Sequence, residues 1–171
     1  MKGFMKSAMK AGAALASGIY LVVLTKLILF KHLAFSDIVA HFTFRFEGGP
    51  YWRTHNFIPF KTIAEYLFLN QHVSHTVRLQ NVIGNIIAFV PFGLLVPLCS
   101  SKIRSFKTVA IATFCLSLTY ELLQLVFRFG SFDVDDLLLN TLGGLIGFVP
   151  VKLASMYVKR GRKDQKAEQA L

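Results

Sequence analysis

The sequence predicts an all-α membrane protein with four transmembrane helices and an interfacial helical segment between the first and second. Three observations carry that prediction. Hydrophobic residues make up 54% of the 171-residue chain and charged residues only 16%, against about 45–50% and about 25% in soluble domains. Four apolar runs each approach or exceed the ~20 residues needed to cross a bilayer. The charge is strongly segregated, with bases crowded at the two ends of the chain. A soluble domain this small leaves much of its surface in water and needs charge to cover it. Mean hydropathy is +0.52, which excludes a disordered chain as well.

The first run covers about residues 11–34, with Lys26 inside it. Lys2, Lys6 and Lys10 precede it, as in a signal peptide. Its apolar stretch is longer than a signal's usual core of about 7–15 residues and no small-residue cleavage site follows, so it reads as a retained helix. The second run covers about 82–99 and contains Pro91 and Pro97. The third, about 107–128, carries Glu121 and Gln124, and the fourth, about 134–157, carries Asp135, Asp136 and Asn140 near its start. Backbone polar groups find no water in hydrocarbon, so these runs should be helices. Residues 1–158 thus form one transmembrane domain, and 159–171 a basic, disordered cytoplasmic tail.

With four spans, three basic segments share one side. They are Lys2, Lys6 and Lys10; Lys102, Arg104 and Lys107; and Lys159, Arg160, Arg162, Lys163 and Lys166, together eleven of the nineteen bases. The positive-inside rule puts that side, and both termini, in the cytoplasm. The net charge of +10 is then a topology signal, not a nucleic-acid footprint, and the tail is suited to rest on anionic lipid. Cys99 and Cys115 lie in or beside apolar runs and make neither a disulfide framework nor a zinc site.

The segment 35–80 should be extracytoplasmic and structured, because it is long and apolar. Gly48-Gly49-Pro50 marks a break. Pro59 suits the first turn of a helix, and apolar residues at 60, 63, 64, 67 and 68 follow helical spacing. This is an interfacial helix by pattern. All five histidines, His32, His41, His55, His72 and His75, fall in or beside the segment. His72 and His75 are spaced as a pair, yet too few oriented partners accompany them for a metal site, and no metal or cofactor is expected.

The polar residues inside the spans are the informative feature. Ser117, Glu121, Gln124 and Arg128 fall on one helical face, as do Asp136, Asn140, Gly143 and Gly147; Asn81 and Asn85 are four apart. All the polar members, with Asp133 and Asp135, lie in the outer half of the membrane. Interhelical hydrogen bonding explains Asn140 and the glycines. It explains less well why intramembrane charges gather at one level, since such groups persist when paired or lining a wet cavity. Asn85, Glu121, Gln124, Asp136 and Asn140 should therefore surround a common pocket, with Lys26 or Arg128 offsetting the carboxylates.

Three blocks of the chain resemble the VanZ-like membrane proteins. The first is Asn56-Phe57-Ile58-Pro59-Phe60-Lys61-Thr62-Ile63, and the second runs from Asn81 through Asn85 to Phe89-Val90-Pro91-Phe92-Gly93. The third is Tyr120-Glu121-Leu122-Leu123-Gln124 followed by Ser131-Phe132-Asp133-Val134-Asp135-Asp136 and Asn140-Thr141-Leu142-Gly143-Gly144. One departure is Gly130, where many members carry arginine; Arg128 stands two residues earlier. The resemblance implies a small polytopic envelope protein, and the family's founding member is associated with reduced sensitivity to the lipid-tailed glycopeptide teicoplanin. Candidate ligand-binding residues are Asn56, Pro59, Asn81, Asn85, Glu121, Gln124, Arg128, Asp133, Asp136 and Asn140.

Three function classes fit these residues. The first is a protein that binds an amphiphilic ligand, such as a lipid-linked cell-wall precursor, at the outer polar cluster. The second is an enzyme on a lipid-linked substrate with Glu121 and Asp136 as acid and base. The third is a small transporter, for which four helices suffice only in a homo-oligomer; Gly143, Gly144 and Gly147 offer a surface for that. Ser131 with His55 or His75 has no spacing that marks a catalytic couple.

Overall fold

A computed structural model describes residues 2–30, 35–44, 55–69, 75–100 and 102–168. His32, His72, Arg45, Arg53 and the Gly48-Gly49-Pro50 break lie outside the described residues, and of His75 and Arg78 only the backbone is described. Six helices follow in order. They are α1 (Lys2–Leu29), α2 (Phe35–Phe42), α3 (Lys61–Ala64, continued by a π-helical turn over Glu65–Leu69), α4 (His75–Cys99), α5 (Phe106–Phe127) and α6 (Val134–Glu168). Four of them, α1, α4, α5 and α6, are long and apolar enough to span a membrane. Their outer surfaces carry large apolar side chains open to the surroundings, such as Val22, Ile87, Ile111 and Leu142, as a lipid-facing surface requires.

α6 packs most extensively on α4, then on α5, while α1 lies against α4 and touches α5 less. Glycine makes the α4–α6 seam. A Cβ on Gly143 would overlap the carbonyl of Ile86, one on Gly147 that of Val90, and one on Gly93 that of Gly144. Small residues let backbones approach where no hydrophobic force drives helices together. The glycines read as an oligomer surface are thus occupied inside one chain.

The α1 contact rests on Leu24 and Leu29, packed with Phe89 and Tyr120. Tyr20 donates to the carbonyl of Ala88 (2.6 Å), and Thr25 shares a hydrogen bond with the Tyr120 hydroxyl (2.9 Å). Hydroxyls of Ser17, Thr25, Thr113, Thr119 and Thr141 donate to the carbonyl one turn back, which satisfies them in an apolar setting. α4 continues through Pro91 and Pro97, and α6 through Pro150.

Four elements differ from expectation at a boundary, α4 among them, since it begins at His75 rather than near residue 82. Pro59 does not open a helix: it sits in a turn, and Phe60, in the left-handed region at φ 66°, precedes the first helical residue Lys61. α1 begins at Lys2 and ends at Leu29, short of residue 34. α6 runs to Glu168, through most of the segment read as a disordered tail. Lys, Arg, Gln, Ala and Glu there are good helix formers, and the preceding span has already met the cost of nucleation. Cys99 and Cys115 are free thiols.

Candidate functional site

The site is built at the end of the bundle away from Lys10 and Lys159. There α5 ends on Arg128, left-handed at φ 54°, and residues 129–133 turn the chain into α6. Residues 55–63 close over this turn. Asn56 forms a one-residue parallel bridge, its N–H donating to the Phe132 carbonyl (2.8 Å) and its carbonyl accepting from Val134 (3.0 Å). Its side-chain amide donates to Thr62 Oγ1 (3.0 Å) and Asp133 Oδ1 (2.9 Å), and its oxygen accepts from the Ile58 N–H (3.0 Å). Thr62 donates to the other Asp133 oxygen (2.6 Å).

Asp135, fully buried, locks the other side of this latch. One carboxylate oxygen accepts from the Phe60 N–H (2.5 Å) and the other from the Ile63 N–H (3.0 Å), amides at the start of α3 that have no intrahelical partner. The backbone N–H of Asp135 in turn donates to Asp133 Oδ1 (2.8 Å). His55 Nδ1 accepts from the Phe132 N–H (2.8 Å), and burial holds this imidazole below its ordinary pKa, in the neutral form that can accept.

Beneath the latch lies a half-open cavity of about 330 Å³. α1 contributes Leu27 and Ile28, the α3 segment Thr62 and Tyr66, and α4 Asn81 and Asn85. Glu121 and Gln124 come from α5, Phe129, Gly130, Ser131 and Asp133 from the turn, and Asp136 and Asn140 from α6. The structure therefore brings Asn81, Asn85, Glu121, Gln124, Asp133, Asp136 and Asn140 to one basin. It leaves Asn56, Pro59 and Arg128 outside the lining: Asn56 is buried in the latch, Pro59 is exposed in its turn, and Arg128 is the α5 cap.

The hydrogen bonds around the basin have a direction. Asn81 donates to the Tyr66 hydroxyl (3.2 Å), Asn85 to Asp136, Gln124 to the Ile28 carbonyl (3.1 Å) and Asn140 to Ser117 (2.8 Å). Each amide thus commits a donor to the protein itself. Glu121 accepts from the Asp133 N–H (2.8 Å) through one oxygen. Asn140, 4% exposed, keeps a buried carbonyl oxygen with no partner. The lining is acceptor-rich, with the three carboxylates of Glu121, Asp133 and Asp136.

Among the described residues, no Lys or Arg lines the basin beside them. Lys26 is exposed on α1 and makes no ion pair with Glu121 or Asp136. The expected partnership of Lys26 with these carboxylates is overturned by geometry, because its side chain leaves α1 on the outward face. Among the described residues, no three His, Cys, Asp or Glu side chains are placed to hold a metal ion.

An aromatic shelf adjoins the basin. Phe129, a lining residue, meets Phe30, Phe42 and Phe127 at ring-centroid distances of 5.2, 5.4 and 5.6 Å. α2 supplies Phe42 and His41, whose Nδ1 hydrogen-bonds the Phe127 carbonyl at 2.8 Å. Sequence reasoning did not single out Thr62, Tyr66, Ser131 or Asp135 for the site. Thr62 lies within the Asn56–Ile63 block, and Ser131 and Asp135 within the Ser131–Asp136 stretch, so the quoted blocks held the available signal.

These features define a class: a multi-pass, all-α membrane protein with an acceptor-lined basin at one end of its bundle. The VanZ/LLP1 family model matches residues 17–155, and the chain belongs to that family. It is similar to protein VanZ of Enterococcus faecium, 29% identical over 147 residues that cover 86% of this chain and 78% of that protein. No solved structure matches it significantly. Every residue lining the basin falls within the family match.

Proposed function

We propose that this protein binds the head group of an amphiphilic or lipid-linked envelope ligand in the basin, and that it modulates sensitivity to lipoglycopeptide antibiotics by doing so. The observation that carries this reading is the carboxylate-rich lining, which among the described residues holds no Lys or Arg. A ligand that supplies N–H or O–H donors, such as an ammonium group or sugar hydroxyls, complements Glu121, Asp133 and Asp136. The volume suits a small head group, and Phe129 with its aromatic neighbours offers a surface for the apolar part. The basic clusters support cytoplasmic termini, which puts the basin on the extracytoplasmic side.

Expression of the protein in a sensitive strain tests the reading. Wild type should raise tolerance to teicoplanin more than to vancomycin, which lacks the lipid tail, and Glu121→Gln with Asp136→Asn should remove the difference. Equal tolerance from the double variant, at equal membrane abundance, contradicts it. Orientation has its own test in a background free of native cysteines. Lys2→Cys and Gln165→Cys should resist a membrane-impermeant thiol reagent in intact cells, and strong labelling of either contradicts the assigned sidedness.

A further inference from the structure

The opposite end of the bundle carries a second, differently built cleft. It has a volume of about 240 Å³ and lies between the end of α4, the α4–α5 link and the second half of α6. Lys152, Ser155 and Lys159 line it from one face of α6, and Arg104 faces them from the link. Leu98 and Phe148 give it apolar walls. Among the described residues none of the three cations makes an ion pair, and the lining holds no acidic residue. Seven of the nine acids in the chain lie between Asp37 and Asp136, none of them near this cleft in sequence.

Depth places the cleft at a membrane interface. Hydrocarbon about 30 Å thick takes about 20 helical residues, and α6 enters near Asp136, so it emerges around Met156. Lys152 and Lys159 bracket that level. Tyr157, 82% exposed, stands at the depth where aromatic side chains meet head groups. Three cations and a hydroxyl sit at head-group height, with apolar walls leading into the membrane.

We propose that this cleft binds one anionic phospholipid, its phosphate held by Arg104, Lys152 and Lys159 with Ser155 donating, and its acyl chains lying against Leu98 and the neighbouring apolar faces of α4 and α6. Arg104 supplies a planar fork for phosphate oxygens and the lysines supply point charges. A basic pocket between membrane helices is the geometry that recognises such head groups. The site is independent of the acidic basin, and neither depends on the other being occupied.

Native mass spectrometry of the full chain in detergent tests it, with phosphatidylglycerol and phosphatidylcholine of identical acyl chains offered together. The wild type should retain one phosphatidylglycerol in clear preference. The triple variant Arg104→Gln, Lys152→Gln, Lys159→Gln should lower that retention at least about tenfold, given roughly 1 kcal/mol for each base near an anionic surface. A charge-matched triple outside the cleft, Lys10→Gln, Lys102→Gln, Lys107→Gln, should retain it. Soluble glycerol phosphate should not displace the lipid. Three results would each overturn the proposal: no preference in the wild type, equal loss in the two triples, or full displacement by glycerol phosphate.

Discussion

The two ends of the bundle are built on opposite principles. At the basin end, buried polar groups are tied into one network in which Asn56, Thr62, Asp133 and Asp135 join segments far apart in sequence. At the other end the chain turns locally: Ser105 caps α5 in a reciprocal box with Thr108, and Arg104, Lys152 and Lys159 line a cleft without an acidic residue. The first end is over-determined and keeps acceptors in a cavity; the second is tied by local bonds and presents cations to the interface. Carboxylates at membrane depth are costly. Their retention next to a rigid latch points to a fixed site, whereas bases at an interface need only reach head groups.

Several substitutions would break or sharpen this contrast. The largest effect is expected from Gly143→Leu, which forces a side chain into the carbonyl of Ile86 on the seam that carries both ends. Overpacking of this kind costs about 1–3 kcal/mol in a repackable core and more against backbone, so folded protein should be lost, as size-exclusion chromatography would show. Asp135→Ala comes next. It leaves the Phe60 and Ile63 amides without their acceptor, a loss of about 3 kcal/mol. Thermal unfolding should fall, and protease should gain access to residues 55–64 while the basic end stays protected.

At the opposite end, Ser105→Ala removes one capping acceptor and should cost only about 1 kcal/mol, read by the same unfolding assay. A smaller, conditional effect belongs to His55. Its pKa is lowered by burial, so the stabilisation it gives is present above the unfolded value of about 6.5 and fades as pH falls through the lower folded value. Proteolysis of the latch should therefore speed up on going from about pH 7.5 to about pH 5.5, and His55→Gln should flatten that dependence. An unchanged pH response in the variant removes His55 from the account.

The helices and the gathering of the polar residues at one end of the bundle were legible in the sequence because both follow from period and length. Glu121 and Gln124, or Asp136 and Asn140, share a face by helical spacing alone, and a short turn brings the two faces together. The latch was not legible in the same way. Asn56 and Asp133 are 77 residues apart, and nothing local distinguishes a residue that binds a ligand from one that closes the lid of its cavity. Asn56 and Pro59 consequently read as ligand residues on the strength of resemblance, while the structure gives Asn56 to the latch and Pro59 to an exposed turn. The glycines of α6 posed a similar ambiguity, because close approach within a chain and between chains asks for the same residue. Lys26 read as a counter-ion because depth can be counted along a helix, whereas the direction of its side chain depends on how α1 is rotated against its neighbours.

The central claim is that the basin end accepts a donor-bearing amphiphile because its lining is rich in carboxylates and, among the described residues, holds no Lys or Arg. A fluorophore attached through Ser131→Cys, at the basin, in an otherwise cysteine-free chain tests it directly in nanodiscs of zwitterionic lipid. Dodecylammonium should shift the emission saturably, dodecyl sulfate should not, and Glu121→Gln with Asp136→Asn should abolish the ammonium response. An equal response to both amphiphiles, or an undiminished ammonium response in the double variant, would contradict the account.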